Sequence, residues 1–199
     1  KADLAVGCGY KYLNGGPGAP AFAFVARALQ DNFRQPLAGW LGHASPFAFE
    51  TAYHPAPGIA RLQCGTAPVL SMTALESGVD TLLLAEAAGG LAALRRKSLL
   101  LGDLFIERVA LRCAQHPLRL ITPRAHGQRG SQVSYAIGDG QMGYAVVQAL
   151  IARGVIGDFR APDILRFGLA PAYLGATDIW DAVEQLAQVL DSGQWREAG

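Results

Sequence analysis

Cysteine is scarce in this chain of 199 residues: Cys8, Cys64 and Cys113 stand far apart, an odd number with no CxxC pair. That excludes a disulfide framework and a zinc knuckle, and a reducing, cytoplasmic setting is the expectation. Histidine is sparse too, and His43, His54, His116 and His126 lack metal-ligand spacing, so no metal is expected. Charge of one sign is absent, because 17 basic and 16 acidic residues leave a formal net charge of +1. Neither nucleic acid nor an anionic membrane surface is an expected partner. A long hydrophobic run is missing as well. The most apolar region, Ala67 to Leu94, is broken by Glu76, Asp80, Glu86 and the pair Gly89-Gly90, which falls short of a bilayer span. No charged-then-apolar signal opens the chain, and no repeat or low-complexity tract interrupts it; the expectation is a soluble protein.

What is present is core-forming material: 51% hydrophobic residues with 24 Gly and 11 Pro, enough for one sizeable core or two small ones. The first residue is Lys1 rather than Met, and the apolar segment "LAVGCGY" follows within three residues. The chain therefore reads as the later part of a longer protein.

Segments "DLAVGCGY" and "AFAFVA" have the short apolar texture of buried strands. The Pro- and Gly-rich stretch from Gln35 to Pro57 reads as an ordered loop. From Pro68 the pattern turns helical, and Leu101, Phe105, Val109 and Cys113 fall at helical spacing, with Ser98 as a candidate N-cap of a long helix over about residues 98–115. Alternation returns in "LRLITP" and in "SQVSYAI", where Val133, Tyr135 and Ile137 share a face. A helix from Gln141 follows, then short strands at Val155-Ile156 and Asp163–Gly168. Ile179, Val183, Leu186, Ala187 and Leu190 trace the stripe of a last helix, with Thr177 or Asp178 at its start. The fold class is α/β, with a boundary near Lys97.

The chemistry centres on "GCGYKYLNGGPGAP", which sets Lys11 between Tyr10 and Tyr12 at the end of the first strand, where open α/β sheets place their chemistry. A lysine taken out of water is driven toward the neutral, nucleophilic amine, and such an amine can form an imine with a carbonyl. A surface lysine laying its stem over a tyrosine is the alternative. The glycines follow the lysine and do not match GxxxxGK[ST], so they are not a nucleotide-phosphate loop. The basic cluster from Arg124 to Gly130 reads as a solvated loop.

The segment "VGCGYKYLNGGPGAPAF" resembles the cofactor-lysine segment of kynureninases, which are pyridoxal-phosphate (PLP) enzymes of fold type I, in the class V aminotransferase-like superfamily. The resemblance extends through "GWLGH", "CGTAPVLSMTALESG", "LRRKSLLL" and "DILRFGLAPAY", which covers essentially the whole chain. It implies residues 1–97 as the C-terminal part of a PLP-binding large domain with a mainly parallel sheet, and residues 98–199 as a linking helix and a small α/β domain. Lys11 matches the lysine that bonds covalently to pyridoxal 5'-phosphate and moves the α-proton. Tyr10 matches a tyrosine, counted with Lys11 among the catalytic residues, that hydrogen-bonds the cofactor phosphate and is linked to proton transfer at the reacting centre, and Trp40 a tryptophan whose indole N–H reaches the phosphate of a partner subunit in a homodimer. Thr66 matches a phosphate-contacting position that also suits a helix start. Arg166 matches the arginine that grips the α-carboxylate of the amino-acid substrate, a task for a planar two-pronged donor.

The implied reaction is hydrolysis of the Cβ–Cγ bond of L-kynurenine, or its 3-hydroxy form, to anthranilate and L-alanine, in the kynurenine pathway of tryptophan catabolism that leads to NAD. The ring-stacking residue and the aspartate at the pyridine nitrogen would lie upstream of Lys1, so the 199-residue chain alone is expected to be inactive. Another class V enzyme, a cysteine desulfurase or an aminotransferase, and a cofactor-free dimerisation or binding remnant are the competing readings. In the full-length protein, Arg166→Lys should raise KM for the amino-acid substrate with a smaller effect on kcat, because a point charge cannot reproduce the guanidinium fork; steady-state kinetics read the difference, and an unchanged KM counts against the assignment.

Overall fold

Strand β1, Leu4–Cys8, pairs antiparallel with β2, Ala21–Val25, in the register Leu4 to Val25 through Cys8 to Ala21. This two-stranded ribbon is where the chain departs from the expected parallel sheet. The connection between the strands, residues 9–20, is all turn and holds no helix, and a parallel pair needs a crossover that is usually helical. A short helix α1, Arg27–Gln30, follows. Residues 35–57 form the expected loop, holding only a 3-10 turn at Trp40–Gly42 and an isolated bridge between His43 and Pro55. Helix α2 spans Val69–Leu84, and Gly78 is its one buried residue.

The structure, a computed structural model, describes residues 1–193, and the chain divides into two compact units, Lys1–Leu84 and Ala85–Gly199. The last residues of the expected second domain, 194–199, lie outside the described part. No single helix among the described residues is long and apolar enough to cross a membrane.

In the first unit the loop is organised by a buried guanidinium. Arg61 donates from Nε to Ala56 O at 3.1 Å, and from Nη1 to Asp31 O at 2.7 Å and Phe33 O at 3.2 Å. Its Nη2 meets Asp31 Oδ1 at 3.3 Å, and that same oxygen accepts from Gly58 N at 3.1 Å. One side chain thus satisfies three carbonyls that would otherwise be costly to bury, so a proline-rich stretch without ladders holds one course.

The second unit is built around helix α3, Gly90–Arg112. It begins eight residues before Ser98, which is not a cap but a buried mid-helix residue whose hydroxyl meets Ser131 Oγ at 2.8 Å. The segment "GLAALRRK" consists largely of good helix formers, so nothing stops the helix at Lys97. The sheet is antiparallel throughout, in the order β3 (Arg119–Leu120), β4 (Gln132–Ala136), β6 (Ile164–Gly168), β5 (Asp158–Arg160). The strand expected at Val155-Ile156 lies instead at Asp158–Arg160, because Gly154 and Val155 close the preceding helix by donating to Ile151 O and Leu150 O.

Helix α4, Gly140–Ala152, is capped by Asp139, whose Oδ1 accepts from Gln141 N at 2.9 Å and Met142 N at 3.1 Å, a pairing that contributes about 1 kcal/mol. Helix α5, Ala176–Ser192, carries the expected stripe into the core, and Asp178 reaches back to accept from Gly175 N at 2.6 Å. Phe105, Val133, Leu150, Leu165, Val183 and Leu186 are each at most 1% exposed, and each such side chain contributes about 1.5–3 kcal/mol.

Helices α3 and α5 are also joined by charge. Glu184 accepts from Arg112 Nε at 2.9 and 3.0 Å and from Arg108, which stacks 3.3 Å over the ring of Trp180. Hydrogen bonding from Arg112 holds the Glu184 carboxyl below its ordinary 4.5, and His116 does the same for Asp191 relative to 3.8. Burial pushes Asp103 up, but the hydrogen bonds from Arg129 and His126 outweigh it and leave it below 3.8. Depressed carboxylates stabilise the fold fully above their unfolded values and lose that contribution as pH falls through the lower folded ones. The urea midpoint of the second unit should therefore decline as pH drops below 4.5, and Glu184→Gln should lower the neutral-pH midpoint while flattening that acid decline; an equally steep decline in the variant would show that the pairing does not stabilise the fold.

Candidate functional site

Lys11 stands in the turn directly after β1, on backbone that is closed on itself. Gly9 N donates to Pro20 O, Gly15 N to Gly9 O and Asn14 N to Lys11 O, each at 3.0 Å. Among the described residues Lys11 Nζ makes no hydrogen bond or ion pair, and lies 5.2 Å from the centroid of the Tyr10 ring. Lys11 and Tyr10 are both exposed, so nothing within residues 1–193 takes the ammonium out of water, and the desolvation expected from sequence is not supplied by this turn. The turn presents a primary amine that an aldehyde can reach.

Trp40 opens the 3-10 turn Trp40–Gly42, with Phe47 edge-on at 5.7 Å. Its neighbourhood is set by a close crossing. A Cβ on Gly39 would lie 1.8 Å from Cys64 O, so the two backbones can meet only because residue 39 has no side chain. The Cys64 thiol donates to Leu37 O at 2.8 Å and reinforces the crossing. The indole Nε1 in consequence lies 3.9 Å from the position a Cβ would take on Gly65, next to Thr66. Thr66 itself is exposed and precedes α2 by three residues, with Met72 N donating to Pro68 O at 2.9 Å to begin the helix. The geometry brings Trp40 and the Gly65-Thr66 segment together at the start of α2, while the Lys11 turn docks further along that helix, against Leu75 and Gly78.

Arg166 lies in the second unit, on β6 opposite Asp158 of β5 and Ser134 of β4. Its neighbours Leu165 and Phe167 are buried in the core, so alternation turns Arg166 to the other face of the sheet, as the sequence suggested. Its Nη2 is ion-paired with Asp158 Oδ2, which also takes Arg160 Nη2 at 2.9 Å. Asp158 is a partner that sequence reading missed; only its place on an adjacent strand reveals it.

His43 is a structural residue rather than a site residue. Its Nδ1 accepts from Ser45 N at 2.9 Å, which leaves the proton on Nε2 to donate to Ala52 O at 3.1 Å. In the basic cluster, Arg129 is buried and paired with Asp103, and Arg95 donates to Arg129 O at 2.6 Å and His126 O at 2.8 Å. The cluster is a largely solvated loop, as expected, but Arg129 is turned inward and ties it to α3. Among the described residues no group of three or more His, Cys, Asp or Glu is placed to hold a metal.

The two-unit fold with a lysine turn after a strand is that of fold type I PLP enzymes. A cysteine desulfurase of Thermococcus onnurineus superposes over 96% of the chain and 46% of its own, with a TM-score of 0.69 at 17% identity. A C-DES mutant with glycine covalently linked to its PLP cofactor superposes over 85% and 43%, with a TM-score of 0.61 at 16% identity. At these identities the likeness speaks for the fold alone. Sequence goes further: the Kynureninase C-terminal domain family matches residues 94–186. Kynureninase of Burkholderia mallei (strain SAVP1) is 56% identical over 195 residues, and that of Pseudomonas fluorescens is 53% identical over 197. The chain belongs to the kynureninase family; the matches take in 98–99% of it but only 45–46% of the length of those relatives, in their C-terminal part.

Cys113 illustrates a cluster that does no chemistry. It shares a small cavity with His116, whose Nε2 meets Asp191 Oδ1 at 2.7 Å, so thiol, imidazole and carboxylate stand near one another. Burial, however, pushes the Cys113 thiol up to about 11, away from the thiolate that nucleophilic work requires. Iodoacetamide at about pH 8 should alkylate the exposed Cys64 and leave Cys113 unmodified until the fold is opened with denaturant; peptide mapping reads both sites, and ready alkylation of native Cys113 would contradict this reading.

Proposed function

We propose that this chain is the Lys11-bearing part of a PLP-dependent kynureninase, which hydrolyses the Cβ–Cγ bond of L-kynurenine or its 3-hydroxy form to anthranilate and L-alanine. The observation that carries the reading is the unpaired Lys11 amine on a closed turn, in a chain 56% identical to a named kynureninase. The residues fit the cofactor: Lys11 would hold its aldehyde, and the Tyr10 hydroxyl, the Trp40 indole N–H and Thr66 would hold its phosphate. When bound, pyridoxal phosphate supplies an electron-accepting ring conjugated to the substrate's α-carbon.

In this reading each residue has a bounded task. Lys11 would hold the cofactor aldehyde in the resting enzyme and, with substrate bound, would carry the proton taken from the substrate's α-carbon. Tyr10, next to it in the chain, donates its phenolic proton toward the phosphate and orders the same corner of the site. Arg166 would clamp the α-carboxylate of the substrate. Trp40 and Thr66 stand together just before α2, whereas the turn that follows Lys11 rests through Leu13 and Asn14 on Gly78, about 13 Å along the helix from Val69 by its rise. The reading includes a homodimer in which Trp40 reaches the phosphate of the other subunit. The division into a cofactor-binding part, residues 1–97, and a small domain, residues 98–199, belongs to the same reading, as do a cytoplasmic setting and a role in tryptophan catabolism.

Full-length protein given L-kynurenine should release anthranilate, read by its fluorescence. Borohydride reduction and peptide mapping should place a pyridoxyl adduct on Lys11. Lys11→Ala should lose turnover and adduct together while its melting curve stays close to that of the parent. Sulfide released from cysteine, with no anthranilate, would move the assignment to a cysteine desulfurase; an unlabelled Lys11 would leave a binding remnant.

A further inference from the structure

Lys11 has almost nothing to hold its side chain. Among the described residues Nζ has no hydrogen bond, and the Tyr10 ring lies 5.2 Å away. The direction of the amine must therefore come from the backbone that carries it. That backbone is seated on α2: a Cβ on Gly78 would lie 2.4 Å from Leu13 O and 2.7 Å from Asn14 O. Only a bare Cα lets the turn lie this close to the helix. Asn14 holds the left-handed conformation, with φ 57°, which asparagine tolerates better than most residues. Its Nδ2 donates to Thr81 Oγ1 at 2.9 Å, and the Thr81 hydroxyl donates in turn to Gly78 O at 2.6 Å. The threonine hydroxyl thus accepts from the turn and donates to the helix at once, and it ends at the glycine on which the turn rests.

We propose that Asn14, Gly78 and Thr81 are positioning residues for Lys11, acting as a seat on α2 that sets where the amine stands relative to the cofactor aldehyde and the substrate's α-carbon. The proposal rests on the reading of Lys11 given above. A proton carrier must return to the same atom at each turnover, and a misplacement of about 1 Å costs on the order of 100-fold in rate. A turn fixed only by its own three backbone bonds could tilt as a unit; its contact with α2 removes that freedom.

The test uses the full-length holoenzyme and three variants, Thr81→Val, Thr81→Ser and Gly78→Ala. Thr81→Val keeps the shape and removes both hydrogen bonds of the hydroxyl. It should shift the pH midpoint of the cofactor's visible absorption band and lower kcat about fivefold, the order expected from losing the one hydrogen bond of the two that ties the turn to the helix, with KM little changed. Thr81→Ser restores the hydroxyl and should restore both readouts. Gly78→Ala, which lifts the turn, should lower kcat by on the order of 100-fold, with Lys11 still labelled by borohydride. If Gly78→Ala does not fold, the Thr81 pair decides. A Thr81→Val holoenzyme with parental absorption midpoint and kcat overturns the proposal, as does a Thr81→Ser enzyme no better than the valine variant. Parent holoenzyme that takes no borohydride label on Lys11 overturns the underlying reading instead, and the proposal with it.

Discussion

The first unit depends on one close approach, the backbone of residues 13–14 lying on the bare Cα of Gly78. Among residues 1–84, Val6, Phe22, Phe24, Leu70 and Leu84 are all exposed to solvent in this chain. Backbone contacts at glycines and buried polar ties order this unit. Gly39 allows the crossing that brings Trp40 to Gly65, Gly78 allows the docking of the lysine turn, and Arg61 gathers the carbonyls of the loop between them. Such contacts are short-ranged and directional. They fix where backbone runs to within a few tenths of an ångström, and a site made of turn residues needs that kind of order more than it needs a thick core.

The second unit is organised on the opposite principle. Its centre is a continuous apolar cluster between α3, α5, α4 and one face of the sheet, with side chains such as Leu150, Leu165 and Leu186 fully enclosed. Charges lie at its rim, where Glu184 joins α3 to α5 and Asp103 joins α3 to the 126–129 turn. Arg166 benefits from this arrangement. Being flanked on its strand by Leu165 and Phe167, it is carried by a strand whose other face is locked, so its backbone has little freedom of its own.

The two units also differ in how far sequence alone discloses them. The helical stripes Leu101–Cys113 and Ile179–Leu190, and the alternation Val133–Ile137, are periodic signals that need no tertiary knowledge, and each fell where the structure has it. The start of α3 did not, because a serine after a lysine looks like a cap until its partner Ser131, distant in sequence, is known. The antiparallel pairing of β1 with β2 was not read from the sequence, since strand direction is a property of the connection, and a glycine-rich connection fits either outcome on paper. Lys11 was legible from its flanking tyrosines and glycines, yet its seat was not. Asparagine before two glycines hints at a left-handed residue, but nothing in "TALESGVDT" marks Gly78 as the floor of a turn formed by residues 13 and 14. Close approaches between segments far apart in sequence leave no periodic trace.

In the role proposed for it, Arg166 adds a last constraint on how a carboxylate would be held. Its guanidinium is already engaged by Asp158, which also holds Arg160. A carboxylate arriving at Arg166 does not meet a bare cation: it either competes with Asp158 for the same donor or takes the remaining donors of the planar group. Competition would cost binding energy, since one ion pair is exchanged for another of similar kind in a partly solvated setting. Sharing would not, because a guanidinium carries five N–H donors and the pair with Asp158 uses Nη2 alone. The second arrangement also keeps the side chain aligned before the ligand arrives, which removes an ordering cost from binding. An arginine anchored by one prong and open at the others is better prepared for a carboxylate than one left free to swing, and the antiparallel pairing of β5 with β6 supplies that anchor directly.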